Sequence, residues 1–213
     1  MAEPKRDVEI TLAELKLSED IPLPKSSRHL ADFQLVWPRV TIAKKTTSLT
    51  LPLAKGAWSG EGRPWTRRVL FKETVQGSFG IEVTLGQALT DSMVAELAAY
   101  MAGALVKEVG GVVADAVAVP GAGAFAQIPF TALSRLVSKE KSAAILATGV
   151  ADVETAALPA AGETLEVVVP LVAESDITKT VSRGGRNTTS ATERVVAKAG
   201  ARVGTVRLLL RPR

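Results

Sequence analysis

The sequence contains no cysteine and only one histidine, His29, and 4% of its 213 residues are aromatic. The absence of cysteine excludes disulfide bonds and thiolate-ligated metal sites. A single histidine argues against catalytic zinc, which ordinarily takes two or three histidines, and we expect no cofactor. Because aromatic rings are scarce, the hydrophobic residues, mostly Ala, Val and Leu, are expected to form a core of many small contacts.

The start of the sequence lacks an apolar segment of the kind that directs export. Residues Met1 to Asp7 are polar and charged, and the residues that follow alternate in the manner of a β-strand. We therefore expect a cytoplasmic protein. The usage of Ala, Val and Arg favours a bacterial origin.

Alternation of apolar and polar residues predicts about nine or ten short strands. The first begins at Val8 and has a phase slip near Ala13, which indicates a β-bulge. Two alternating runs, Val69 to Val75 and Phe79 to Leu85, flank a short turn containing Gly77 and predict a β-hairpin.

Near the end of the chain, the runs from Thr192 to Ala199 and from Val203 to Leu210 predict a last pair of strands joined near Gly200. Between the earlier strands and this pair, residues 182–191 are polar, basic and rich in glycine. We interpret them as a loop.

The period of the apolar residues changes in the middle of the chain. Met93, Leu97, Met101 and Leu105 recur every four residues, and a second short helix is predicted from Pro129. The sequence therefore predicts an α+β fold in a single β-rich domain spanning residues 1–213. In our preferred architecture an antiparallel β-sandwich carries a helical pair inserted at about residues 90–141.

His29 lies in a stretch that also contains serine and aspartate, from Ser26 to Asp32. A catalytic triad is defined by spatial geometry and not by closeness in sequence, and no Gly-x-Ser-x-Gly motif is present. We interpret His29 as a loop histidine. We predict no catalytic residue and no enzymatic activity.

Two small acidic groups each follow a predicted strand, and both would lie at one end of the sandwich. They contain Glu19 and Asp20, and Glu174 and Asp176. Carboxylate oxygens at such a place would suit Ca²⁺. Solvated charges in turns explain the same residues, and the sequence leaves both interpretations open.

A glycine-rich loop is bracketed by two tryptophans and carries several arginines. Tryptophan and arginine are enriched in binding hot spots and can stack on a ring or meet an anionic group. We predict partner contacts there from Trp58, Arg63, Trp65 and Arg67. The alternative is that both tryptophans fold onto the core.

The basic residues are concentrated near the end of the chain. From Glu174 to Arg213 there are nine Lys or Arg residues against three acidic residues, a local charge of +6, whereas the whole chain carries +4. Such a region suits an anionic partner. Arg183 and Arg186, within the polar stretch, complete the predicted partner-binding residues.

These features lead us to expect a non-catalytic interaction, adaptor or structural module of a larger bacterial assembly, with a protein partner and no small-molecule substrate. One alternative is a membrane-active protein that inserts its Ala- and Gly-rich central helices. Pro120 and Pro129 interrupt the uncharged stretch there, which argues against a permanent span. A further alternative is a nucleic-acid-binding protein that uses the basic C-terminal region.

Overall fold

The computed structural model describes residues 5–23, 25–37, 44–64, 68–89, 145–185 and 188–213. These residues form eleven β-strands and one 3₁₀ turn, Thr155–Ala157. The strands are β1 Lys5–Leu17, β2 Ser26–Val36, β3 Lys44–Ala54, β4 Ala57–Ser59, β5 Val69–Gln76, β6 Ser78–Leu89, β7 Ile145–Glu154, β8 Leu165–Ala173, β9 Ile177–Gly185, β10 Thr188–Ala197 and β11 Arg202–Pro212.

Eight strands form a closed antiparallel barrel. Around the ring they pair in the order β1, β11, β8, β7, β6, β2, β3 and β4, and β4 returns to β1. β5 pairs with the first half of β1, on the edge whose second half pairs with β4. The remaining strands, β9 and β10, form a separate two-stranded sheet.

The core fills the inside of this barrel with side chains from alternate positions. On β2, Ala31, Phe33 and Leu35 are buried in the core, and the same alternation continues on the neighbouring strands. Successive side chains of a strand point to opposite faces, so one set of positions enters the barrel. An interior bounded by eight strands is narrow enough for side chains to fill.

The phase slip near Ala13 is a β-bulge, as predicted. The register of β1 against β11 shifts between Leu12 and Glu14. The N–H of Gly60 donates to the carbonyl of Ala13 at 2.7 Å, and a Cβ at Gly60 would lie 2.7 Å from the Leu12 oxygen. Only glycine permits the backbone to approach the bulge this closely.

The predicted α+β class and β-sandwich are wrong. The ladders close into one ring, so there are no two stacked sheets, and the described residues contain no α-helix. The helical pair expected at about 90–141 lies outside the described residues. Within the part of the chain that the structure describes, no helix is long and apolar enough to span a bilayer.

The predicted hairpin of β5 and β6 is also wrong, although both strands and the turn are present. Gly77 turns the chain with φ +70°, but β5 pairs with β1, whereas β6 pairs with β2 and β7. The turn therefore joins strands that have different neighbours. A short glycine turn between alternating runs does not by itself specify that the runs pair.

The predicted pairing near the end of the chain needs the same correction. β10 pairs with β9, and β11 pairs with β1 and β8, so the strands on either side of Gly200 are not partners. Most of the stretch interpreted as a loop, residues 182–191, is strand, because β9 extends to Gly185 and β10 begins at Thr188.

Candidate interaction surface

β9 and β10 form a two-stranded antiparallel sheet, termed the ribbon, whose side chains at 178–181 and 191–195 are exposed on both faces. Its ladder runs from Ile177 opposite Ala197 to Gly185 opposite Thr188. Ile177 and Ala197 pack against the hydrophobic core, whereas Val181 and Val195, farther along, are 40% and 45% exposed. The ribbon is therefore anchored at one end and buries little apolar surface beyond it.

The base of the ribbon is joined to two paired strands of the barrel, β8 and β11. The N–H of Ala173 donates to the carbonyl of Ala201 at 2.9 Å, and the N–H of Gly200 donates to the carbonyl of Ala173 at 2.8 Å. Asp176 Oδ1 accepts a hydrogen bond from the N–H of Ala199 at 2.8 Å. These bonds connect both ends of the ribbon where they leave the barrel.

One face of the ribbon is cationic. Lys179 on β9 lies directly opposite Arg194 on β10, and Val181 lies opposite Thr192 on the same face. The acidic residue of the described ribbon, Glu193, is opposite Thr180 on the other face. Because cross-strand partners share a face, two positive charges are adjacent without a carboxylate between them.

Some cations of the barrel have acidic partners, which the facing pair on the ribbon lacks. Arg207 lies 3.7 Å from Glu14, Lys72 lies 3.6 Å from Glu9, and Arg213 also contacts Glu9. Within the described ranges, no carboxylate is within 4.0 Å of the charged groups of Lys179 or Arg194. Lys16 and Arg211 on the barrel also have no such partner among the described residues, so the ribbon is distinguished by two such cations that lie directly opposite each other.

The four acidic residues considered for calcium do not form a metal site in the described structure. Among the described residues, no three His, Cys, Asp or Glu side chains are grouped so that they would hold a metal ion. Asp20 lines a shallow cleft of about 330 Å³ together with Lys179 and Arg194. Asp176 instead accepts the hydrogen bond from the N–H of Ala199 at the base of the ribbon.

In the tryptophan loop, which runs from Trp58 to Trp65 in the sequence, Trp58 is buried and Arg63 is partly exposed. Trp58 is 4% exposed and belongs to the core, and the Arg63 guanidinium lies 5.3 Å from the centre of its ring. Arg63 also donates from Nε to the carbonyl of Ser59 at 2.8 Å. Arg63, and not the ring of Trp58, is the group that a partner would reach.

The other predicted contact residues are less fully defined. Trp65, Arg67 and Arg186 lie outside the described residues. Arg183 occupies a ladder position of β9 opposite Ser190. Lys179 and Arg194 belong to the basic region, but they are not among the contact residues predicted from the sequence. The alternation of Thr178, Lys179, Thr180 and Val181 was the signal that would have placed Lys179 on a strand face.

His29 lies in strand β2 and not in a loop, which corrects the sequence interpretation. Its side chain is fully buried; Nδ1 is 3.0 Å from the carbonyl oxygen of Gly86 and Nε2 is 2.9 Å from Ser27 Oγ. A carbonyl can only accept, so Nδ1 carries the proton and Ser27 donates to Nε2. Burial lowers the pKa of His29, although the hydrogen bond to Gly86 acts in the opposite direction.

A cavity of about 310 Å³ at one end of the barrel reaches His29. Its wall is of mixed polarity and includes Leu23 and Ile145, with Asp176 and Thr178 contributed from the ribbon side. Both imidazole nitrogens already have partners within the protein, so the ring presents no free polar atom to the cavity.

Asp32 is fully buried on the face of β2 opposite to the core residues Ala31 and Phe33. It therefore does not orient His29, and serine, histidine and aspartate form no triad here. Burial raises the pKa of Asp32 to about 6, and the hydroxyl of the facing Ser48 opposes this rise. Apart from Ser48, no group among the described residues is close enough to hydrogen bond with the Asp32 carboxylate.

Replacement of Trp58 distinguishes a core role from a contact role. We expect Trp58→Ala to lower the free energy of unfolding by about 3–5 kcal/mol, because it leaves a cavity in the core. Arg63→Ala, which removes the stacked cation and its hydrogen bond to Ser59, should cost about 1–2 kcal/mol. Urea unfolding measures both values. A Trp58→Ala variant as stable as the original protein would contradict the core role.

Asp32 makes stability depend on pH. Its pKa is 3.8 when unfolded and about 6 when folded, so between these values the folded protein binds more protons and becomes less stable as pH rises. Above pH 6 the cost is about 3 kcal/mol. We expect Asp32→Asn to exceed the original protein in stability most at pH 7.5, and the difference to shrink towards pH 4.

Thermal and urea unfolding at several pH values measure this difference. Asp152→Asn on an exposed part of β7 is the matched control for loss of one carboxylate. A difference between Asp32→Asn and the original protein that is constant from pH 4 to 7.5 would show that Asp32 does not titrate in this way.

No protein-family model matches this sequence, and no curated protein matches it.

Proposed function

We propose that the protein is a non-catalytic interaction module in which the barrel is the scaffold and the ribbon binds an anionic partner. The observation that supports this proposal is the exposed pair of Lys179 and Arg194, which lie opposite each other and have no described carboxylate within 4.0 Å. A negatively charged group placed over this face would interact with both cations at once.

Binding would also offset two costs of the free ribbon. Like charges directly opposite each other on a strand pair are destabilising. A two-stranded sheet exposed to water on both faces is marginally stable, because it buries little apolar surface. An anionic partner removes the repulsion between Lys179 and Arg194 and covers one face. We therefore expect the ribbon to be more stable in a complex than alone.

The surroundings of His29 support a non-catalytic role. Gly86 and Ser27 occupy its two nitrogens, and Asp32 lies on the opposite face of the strand. Ser27, the hydroxyl that His29 would activate, is itself buried. A hydrogen-bonded serine and histidine resemble the nucleophile and base of acyl transfer, but a substrate carbonyl needs access to the serine.

The other expectations for this protein rest on less structural support. Membrane insertion would use residues at about 90–141, which lie outside the described residues. Contact with a protein partner through the loop near Trp58 would rest on Arg63. The ribbon offers the larger charged surface, and we therefore assign it the main contact.

Charge reversal on the ribbon tests the proposed function. We expect the double variant Lys179→Glu/Arg194→Glu to elute from an immobilised heparin column at clearly lower salt than the original protein, because the cations that meet the sulfates are lost. The matched control is Lys16→Glu/Arg211→Glu, which changes the net charge equally at exposed positions of the barrel.

The comparison of the two double variants decides the outcome. If both elute at the same salt concentration, retention depends only on net charge and the ribbon is not the contact surface. Circular dichroism of each variant checks that the barrel remains folded.

Exposure of Ser27 to a fluorophosphonate probe tests the absence of catalysis. We expect no covalent labelling, because Ser27 is buried and hydrogen bonded to His29. Intact-protein mass spectrometry would detect the adduct, and Ser26→Ala and Ser27→Ala would identify the labelled position. Labelling of Ser27 that disappears in His29→Gln would overturn the non-catalytic assignment.

A further inference from the structure

We infer that the anionic partner of the ribbon is double-stranded DNA, and that the ribbon enters its major groove. This inference rests on the proposed function, since it names the partner of the same surface. It is carried by three features of the ribbon: its dimensions, its charge and its composition.

The dimensions of the ribbon match the major groove. Its strands contain nine and ten residues, which corresponds to a length of about 30 Å at about 3.4 Å per residue. Two strands lie about 4.8 Å apart, and the major groove of B-form DNA is about 12 Å wide and admits a two-stranded ribbon. The side chains at 178–181 and 191–195 are exposed on both faces, which leaves this part of the ribbon free to enter between two walls of phosphates.

The charge of the ribbon suits a phosphate backbone. Lys179 and Arg194 are adjacent on one face, and Arg183 occupies a ladder position farther along β9. The single acidic residue of the described ribbon, Glu193, lies on the other face. Phosphates are closely spaced along DNA, so each of several cations along a narrow ribbon could contact a phosphate.

The composition of the ribbon favours a duplex over the alternative partners. Residues 177–197 contain no aromatic residue but five threonines and two serines. Proteins that bind single strands stack bases on aromatic side chains, and protein interfaces are enriched in Tyr, Trp, Phe and Met. Hydroxyl side chains together with Lys and Arg are instead the common donors to phosphate oxygens.

The shape of the major groove determines which kind of duplex the ribbon could enter. The major groove of A-form RNA is deep and narrow and is closed to side chains. A ribbon that works by groove insertion would therefore bind duplex DNA more tightly than duplex RNA. A ribbon that binds acidic protein segments would hold its partner by charge alone. Such a ribbon would not distinguish duplex DNA from duplex RNA.

Fluorescence anisotropy with a labelled 20-base-pair DNA duplex tests the inference on the full chain. We expect binding whose logarithmic affinity falls linearly with the logarithm of salt concentration. Lys179→Ala/Arg194→Ala should reduce the magnitude of that slope by about 2, because each lost phosphate contact contributes about 0.9. Lys16→Ala/Arg211→Ala is the matched control and should leave the slope unchanged.

Three further probes identify the partner: a 20-nucleotide oligo-dT, a duplex RNA of equal length, and poly-L-glutamate. We expect all three to bind more weakly than duplex DNA. Equal binding of oligo-dT or duplex RNA would overturn groove insertion. Binding of poly-L-glutamate without binding of duplex DNA would indicate an acidic protein partner; the DNA inference would fall while the proposed function stands.

Competition locates the ribbon on the duplex. Methyl green, a major-groove ligand, should displace the protein, and netropsin, a minor-groove ligand, should not. Displacement by netropsin alone would overturn the placement in the major groove. If neither DNA nor poly-L-glutamate binds and the ribbon variants elute from heparin with their controls, the DNA inference and the proposed function fail together.

Discussion

The pairing of β1 with β11 is the constraint on which the rest of the structure depends. It runs from Val8 opposite Pro212 to Leu17 opposite Gly204, and it closes the sheet into a ring. A closed sheet has no free edge along this seam, so its backbone groups are paired within the molecule. On the outer surface Glu9 contacts Lys72 of β5 and Arg213, which connects both neighbours of β1.

Closure of the barrel also determines where the ribbon is held. β11 pairs with β1 on one side and with β8 on the other, and β8 and β11 are the strands from which the ribbon leaves and to which it returns. The ribbon itself has few apolar contacts. Its orientation therefore comes from the hydrogen bonds among Ala173, Ala201, Asp176 and Ala199 at its base, and from the paired strands β8 and β11 that these bonds join.

Much of the strand content was predictable from the sequence, but the pairing was not. The alternations through Phe33 and Leu35, and through Ile81 and Val83, mark core-facing positions correctly. At Gly77 and Gly200 the chain turns, yet the flanking strands pair elsewhere. Turn chemistry is local, whereas the choice of neighbour depends on strands far away in sequence.

The sequence by itself determined the two-residue period, the exclusion of cysteine chemistry and the concentration of positive charge near the end of the chain. Only the tertiary structure decided that the sheet closes, that Trp58 is buried beneath Arg63, and that Lys179 faces Arg194 without an acid between them. The reason is physical. Period and composition are properties of neighbouring residues, whereas closure, burial and charge pairing arise when distant strands share a ladder.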